Sequence, residues 1–202
     1  SLHQTNVNGC HVSYNAGGGI VARGGDVRNL HVAGCDIESN MGDEEPSTAN
    51  ILIDSRGGKH GVAEVSITGC TIQHNHLGDE SANIRIIGND AFERRRGNVT
   101  IASNVLSDVQ VNVDIRDARG VTLVGNTFWM GFSHDLRAVN CSNLVLSANN
   151  FDRNPHYTYG VAREAKGGIL LEDCHDSTIT GLHVNGAHTH LALVGDEHVA
   201  EL

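Results

Sequence analysis

The sequence predicts an all-β solenoid of about seven coils, each built of three short strands and together forming one domain over residues 1–202. Three observations predict it. The first is a recurring segment, clearest as VRNLHVAGCDIESN (27–40), with LHQTNVNGCHVSYN (2–15) and VAEVSITGCTIQHN (62–75) in the same form. Looser copies start at positions 96, 118, 141 and 174. The shared pattern is apolar-x-apolar, two small or polar residues, Cys or Asn, one residue, then a large apolar residue. Cys10, Cys35, Cys70, Asn104, Asn126 and Asn149 fall on one register, at successive offsets of 25, 35, 34, 22 and 23 residues, and 33 more reach Leu182. The second observation is a further apolar run after each copy: GIVAR (19–23), NILIDSR (50–56), NIRIIGN (83–89), NVDIRD (112–117), DLRAVN (135–140), GILLED (168–173) and HLALVG (190–195). These alternate with period two, as strands do. The third is the absence of any helical periodicity.

The elements follow in order. The recurring segment breaks into two short strands around Gly-Cys or Gly-Asn, residues that tolerate the left-handed backbone of a tight turn. The run after it is the third and longest strand. Alternation points Ile20, Ile51, Ile84, Val113, Leu136 and Ile169 inward, together with Ala22, Ile53, Ile86, Ile115, Ala138 and Leu171. It points Asn50, Asn83, Asn112 and Asp135 outward in one column. A second outward column is Leu52, Arg85, Asp114, Arg137, Leu170, and a third is Asp54, Ile87, Arg116, Val139, Glu172. The pattern V-x-x-L-x-V-x-x-C-x-I also fits a leucine-rich repeat. The Gly-rich return with an alternating strand, and β-branched residues in excess of Leu, favour the three-stranded coil.

Composition agrees. Hydrophobic content is 39%, aromatic content only 4%, and there are 24 glycines, which suits a thin coil with tight turns. A formal net charge of −10 argues against nucleic acid or an anionic membrane surface as partner. The one basic cluster, Arg94-Arg95-Arg96, reads as a solvated loop. No apolar run is long enough for a membrane span. Ser1 falls inside a repeat and the last segment reads as an unfinished coil, so a piece of a longer chain lacking one or both caps is expected. Cys10, Cys35 and Cys70 share one position and Cys141 and Cys174 another. Coils stacked ~4.8 Å apart would turn each set into an inward ladder, where Cys packs as a small hydrophobe. A disulfide between stacked neighbours stays open on Cα spacing. A thiolate metal site lacks ligands to complete a tetrahedron.

The tandem segments GNVTIASNVLSD (97–108), GVTLVGNTFWMG (120–131) and NLVLSANNFDRN (143–154) resemble the short repeats of the right-handed parallel β-helix, the pectate-lyase-like superfamily. The resemblance covers nearly the whole chain. Asn104, Asn126 and Asn149 then resemble that fold's internal asparagine ladder. The resemblance implies a groove on the long-strand face, walled by loops such as 41–49, 76–82 and 155–167 before the strand and 55–61 and 88–97 after it. It also implies an extracellular or periplasmic location.

Two chemistries are expected in that groove. A glycoside hydrolase needs two carboxylates across a sugar bond. Asp114 and Asp135, one coil (~4.8 Å) and two residues (~6.6 Å) apart, have a Cα separation of about 8 Å, a value inside the roughly 6.5–9.5 Å that inverting pairs show between their carboxyl groups rather than their Cα atoms. By resemblance, a polysaccharide lyase would use Arg85, Arg116, Arg137 or Lys59 as base, with Asp54 and Asp114 as oxygen ligands for Ca²⁺. His60 and His134 flank the groove as proton-transfer candidates. Arg85, Asn83, Asn112, Asp54, Lys59, His134, His156 and Tyr157 are the expected substrate contacts, the last two able to lie against a sugar ring together with Tyr159. A ladder of surface ion pairs accounts for Asp114 and its arginines equally well. The pairs His74/His76 and His188/His190 have the i, i+2 spacing of metal ligands without a third partner. The expected partner is a polysaccharide. The alternative is a non-catalytic solenoid for polysaccharide binding, adhesion or scaffolding.

Overall fold

The computed structural model describes residues 1–43, 48–152, 164–184, 191–195 and 199–201. They form seven coils of a parallel β-helix. Coil one is β1 (Leu2–Asn8), β2 (His11–Ser13) and β3 (Ile20–Arg23); coil two is β4 (Val27–Ala33), β5 (Asp36–Glu38) and β6 (Ala49–Asp54). Coil three is β7 (Val62–Thr68), β8 (Thr71–Gln73) and β9 (Ala82–Ile87); coil four is β10 (Gly97–Ala102), β11 (Val105–Ser107) and β12 (Val109–Arg116). Coil five is β13 (Val121–Val124), β14 (Thr127–Phe128) and β15 (Gly131–Val139); coil six is β16 (Val145–Ser147), β17 (Asn150–Phe151) and β18 (Ile169–Glu172). Coil seven is β19 (Ser177–Thr180), β20 (His183–Val184) and β21 (Leu191–Val194), and β22 (Val199–Glu201) stacks on β19. Every third strand pairs in parallel, giving one eight-stranded and two seven-stranded sheets. A leucine-rich repeat would carry one such sheet, so that reading is set aside.

The recurring segment supplies the first two sheets, and its turn shows why it recurs. One residue takes the left-handed conformation just before the Cys/Asn position: Gly9, Gly34, Gly69, Ser103, Gly125, Ala148 and Gly181, at φ between 51 and 64°. A Cβ on Gly34 or Gly69 would meet nothing within 4 Å, so glycine is favoured there by its backbone freedom and not by space. That turn aims the next side chain into the coil. Asn126 Oδ1 accepts from Asn104 N (3.1 Å) and Nδ2 (3.0 Å), and Asn149 Oδ1 accepts from Asn126 in the same way. Each Nδ2 also donates to a backbone carbonyl, Ile67 for Asn104 and Ile101 for Asn126. The ladder thus satisfies backbone groups that the corner takes out of the sheets.

Cysteine replaces asparagine in the earlier coils. Cys35 N donates to Cys70 Sγ at 3.4 Å, and Cys70 N to Asn104 Oδ1 at 3.0 Å. Cys35, Cys70, Cys141 and Cys174 are buried, as the register requires, whereas Cys10 in the first coil is exposed. All five are free thiols, so the disulfide left open by the spacing is not formed. Burial pushes the Cys70 thiol up; hydrogen bonding with Cys174 and burial push the Cys141 thiol up as well. A thiol reagent is therefore expected to titrate one group, Cys10, in the native protein and the other four only on unfolding. Rapid reaction of two or more thiols in native buffer would contradict this packing.

The core is one continuous cluster of hydrophobic residues from all three sheets, mostly aliphatic. Within the second sheet the inward column reads Val12, Ile37, Ile72, Leu106, Phe128 and Phe151. Phe128 and Phe151 stack with centroids 4.7 Å apart and planes 9° apart. Sequence alternation holds for the third sheet beyond its first residues: Ile51, Ile84, Val113 and Leu136 are all buried.

The column at Asn50, Asn83, Asn112 and Asp135 needs correcting. These side chains are 0–1% exposed and form a second internal ladder. Asn50 Nδ2 donates to Asn83 Oδ1 (2.8 Å), Asn83 to Asn112 (2.8 Å) and Asn112 to Asp135 Oδ1 (3.0 Å). Asn15 and Asn40 extend it through the first coils. These residues stand at the corner where the chain enters the third sheet, so two consecutive side chains point inward before alternation begins. Asp135 closes the ladder as an acceptor, taking Gly131 N at 3.1 Å as well. A Cβ on Gly131 would lie 2.5 Å from Asp135 Oδ1, so the close approach requires glycine. No helix among the described residues is long and apolar enough to cross a membrane.

Candidate functional site

The register of the third sheet places Asp114 between Arg85 and Arg137, as the alternating strands predict. Leu52 continues that column beyond Arg85, and Leu170 continues it beyond Arg137. Beside it, Arg116 follows Ile87 and precedes Val139. The columns are as expected, but the depth is not. Asp114 is fully buried, although it lies on the outer face, because side chains from three coils close over it. Arg85 Nε reaches its Oδ2 at 2.8 Å. Arg116 binds both oxygens, Nε to Oδ1 at 3.2 Å and Nη2 to Oδ2 at 2.9 Å. Arg137 does the same, with Nε to Oδ1 and Nη2 to Oδ2 both at 3.1 Å.

A residue outside the expected set completes the network. Glu80, in the loop between β8 and β9, accepts Arg116 Nη2 at 3.1 Å and Arg137 Nη1 at 3.2 Å, and pairs with Arg137 Nη2. Its backbone carbonyl is held by Arg85. Three guanidinium groups and two carboxylates give +3 and −2, a local charge of +1. Burial pushes the Asp114 carboxyl up, but hydrogen bonds from Arg137 and Arg116 and the charges of Arg137 and Arg85 outweigh it and hold it at about 2. The hydrogen bond from Arg137 leads the effects that hold Glu80 below the ordinary carboxylate value, against its partial burial. Burial opposes the charge on Arg137, but its bonds to Glu80 and Asp114 push its pKa above the usual arginine value.

The loop that carries Glu80 forms a wall of the face. His76 stacks on Phe132 with centroids 4.3 Å apart, and Gln110 Nε2 donates to the His76 carbonyl at 2.7 Å. Leu77 stands 64% exposed on the same loop. His74 pairs with Asp108 at 3.4 Å, and that partner raises its pKa. The two histidines thus face different partners and do not converge as i, i+2 metal ligands.

Other expected site residues lie elsewhere. Asp135 is in the internal ladder, on the opposite side of the sheet from Asp114, so the two carboxylates cannot flank one sugar bond. Asn83 and Asn112 share that ladder and are closed to a substrate. His134 is half-buried near the start of β15, its Cα opposite Val111. Lys59 and His60 are exposed in the loop after β6, and the backbone N–H of His60 is tied to Asp26 at 2.7 Å. Asp54 is gripped by Arg56, Nε at 3.0 Å from Oδ1 and 3.2 Å from Oδ2. With Asp54 and Asp114 both committed to guanidinium groups, the pair does not fit a Ca²⁺ ion. No group of three or more His, Cys, Asp or Glu among the described residues is arranged to hold a metal. His156, Tyr157, Tyr159, His188 and His190 lie outside the described residues.

The arginine triplet 94–96 divides. Arg94 and Arg96 are exposed, whereas Arg95 is buried and pins its loop to the solenoid corner. It donates to Asn89 O (2.7 Å) and Asn140 O (2.8 Å) and pairs with Asp117 (3.1 Å). Its guanidinium lies 5.6 Å from the Phe92 ring centroid. This is structural work that three adjacent basic letters do not announce.

No curated protein and no solved structure matches the chain. One family does, described as the right handed beta helix region, and the match runs over residues 3–199. With three parallel sheets, two inner ladders and nearly the full length matched, the chain belongs to the right-handed β-helix family.

Proposed function

We propose that the chain is a non-catalytic polysaccharide-binding module, which holds a saccharide chain on the long-sheet face around Arg116, Arg137 and Glu80. The observation that carries this reading is the state of Asp114. A carboxyl held at about 2, buried and bonded to three guanidinium groups, is poorly matched to proton transfer near neutral pH. Arg137 is held in its charged form, which opposes service as a base. The same bonds favour binding. Asp114 fixes Arg116 and Arg137 in place, so little side-chain freedom is lost when a ligand arrives. The Arg116 side chain remains 40% accessible. Leu52, Leu170, Ile87 and Val139 flank the charged centre in their columns and offer apolar surface to sugar rings. The extracellular or periplasmic space is the setting we assign to such a module.

A panel of neutral and uronate polysaccharides, read by affinity electrophoresis and calorimetry, tests this. The parent protein should bind at least one of them, and Arg116→Leu should weaken that binding at least about fivefold, the loss of roughly one charge-assisted contact. New reducing ends, or absorbance from a new double bond, would show cleavage and overturn the non-catalytic reading.

A further inference from the structure

We infer that Arg116 and Arg137 form a carboxylate clamp whose present occupant, Glu80, is an internal and displaceable stand-in for a carboxylate-bearing ligand. The inference rests on the saccharide-binding reading only for where that carboxylate comes from.

The clamp is anchored from below. Arg116 and Arg137 each hold Asp114 through Nε and Nη2, so their position does not depend on what lies above them. Above them, Arg137 meets Glu80 with both terminal nitrogens and Arg116 with one. This is the planar, two-point recognition for which arginine is suited. The two anions in the network differ in kind. Asp114 belongs to a central strand and is fully buried. Glu80 comes from a loop, and its side chain is 47% exposed. The backbone pairing of β9, β12 and β15 does not involve the Glu80 carboxylate. The loop has separate fastenings at His76, through Phe132 and Gln110, and at the Glu80 carbonyl, held by Arg85, so the Glu80 side chain can swing away while the loop stays attached. Withdrawing Glu80 changes the local charge from +1 to +2, which an incoming carboxylate would restore.

An occupied clamp lowers apparent affinity by the fraction of molecules in which it is open. With Glu80 released about 1–10% of the time, the external carboxylate would bind about 10–100-fold more weakly than to an empty clamp. Glu80→Gln keeps the shape and removes the charge. Titration with sodium acetate, sodium glucuronate and glucose, followed by calorimetry and by the arginine Nε–H signals, should show Glu80→Gln binding acetate about tenfold or more tighter than the parent. Adding Arg116→Leu should abolish the gain. Equal acetate affinity in parent and Glu80→Gln would overturn the clamp. A second readout uses the parent alone: acetate should shift the carbon signal of the Glu80 side-chain carboxylate, and an unchanged signal would count against displacement. Acetate binding with glucuronate excluded would support the clamp and overturn the saccharide source. A parent that binds neutral polysaccharide, with no acetate gain in Glu80→Gln, would leave the saccharide reading standing and remove the clamp.

Discussion

Replacing Asp114 by Asn lowers the stability of the folded chain by about 3–5 kcal/mol, the usual cost of removing one partner from a buried ion pair. The expected size follows from what the substitution leaves behind. Arg85, Arg116 and Arg137 keep their charges, and only the partly exposed Glu80 remains to offset them. Three guanidinium groups converge on one site, and Asn can satisfy only part of their donors. Arg116→Leu should cost much less, because its side chain is 40% accessible and its pairs are screened by water. Urea unfolding of the two variants checks the order; an Asp114→Asn protein as stable as Arg116→Leu would sink it. Acid unfolding carries the same information. The Asp114 carboxyl is held at about 2, below its ordinary 3.8. Its contribution is therefore present above pH 4 and is lost as the pH falls from there through about 2. The parent should lose stability across that window, and the Asn variant should lack that share of the slope.

Phe128→Ala costs about 3–5 kcal/mol, the range for emptying a buried aromatic site. Phe128 is 0% exposed between Leu106 and Phe151, on the inward column of the second sheet. Neighbouring coils are held at the strand spacing by their hydrogen bonds and cannot collapse into the gap. Each coil of a solenoid touches only its neighbours, so the weakness falls on the contacts between coils four, five and six. Phe128→Leu should recover most of the loss. Val145→Ala is the control, at a position 37% exposed on the outside of the first sheet, with an expected change within about 0.5 kcal/mol. The packing account fails if denaturant midpoints for Phe128→Ala and Val145→Ala coincide.

Much of this architecture is legible in the letters. A solenoid stacks equivalent positions at one spacing, so a misplacement by one residue would turn a whole strand inside out. That is why Cys35 and Cys70 could be placed inside, and why Arg85, Asp114 and Arg137 could be placed side by side. The second ladder was not legible. Asn50, Asn83, Asn112 and Asp135 sit at a corner, where turn geometry overrides the period of two, and polar letters next to a strand start read as outward. Arg95 was hidden for a related reason: its partners Asn89, Asn140 and Asp117 are brought to one corner only by the winding of the coils.

Glu80 marks the boundary most clearly. The length of its loop marks it as a wall of the groove, because insertions on one side of a solenoid stand out. A loop has no period, however, and nothing in HLGDESA says which acidic side chain turns back over the sheet. An acidic loop immediately before a column of arginines was the one available signal.

The sequence by itself determined the coil number, the strand register and the alignment of the charged columns, because each depends on periodic burial of apolar side chains. Tertiary structure alone decided that Asp114 is buried beneath its arginines, that Asp135 faces inward, and that Glu80 completes the site. Those outcomes depend on how corners, loops and long side chains from different coils close over one another, and that closure has no repeat in the chain to announce it.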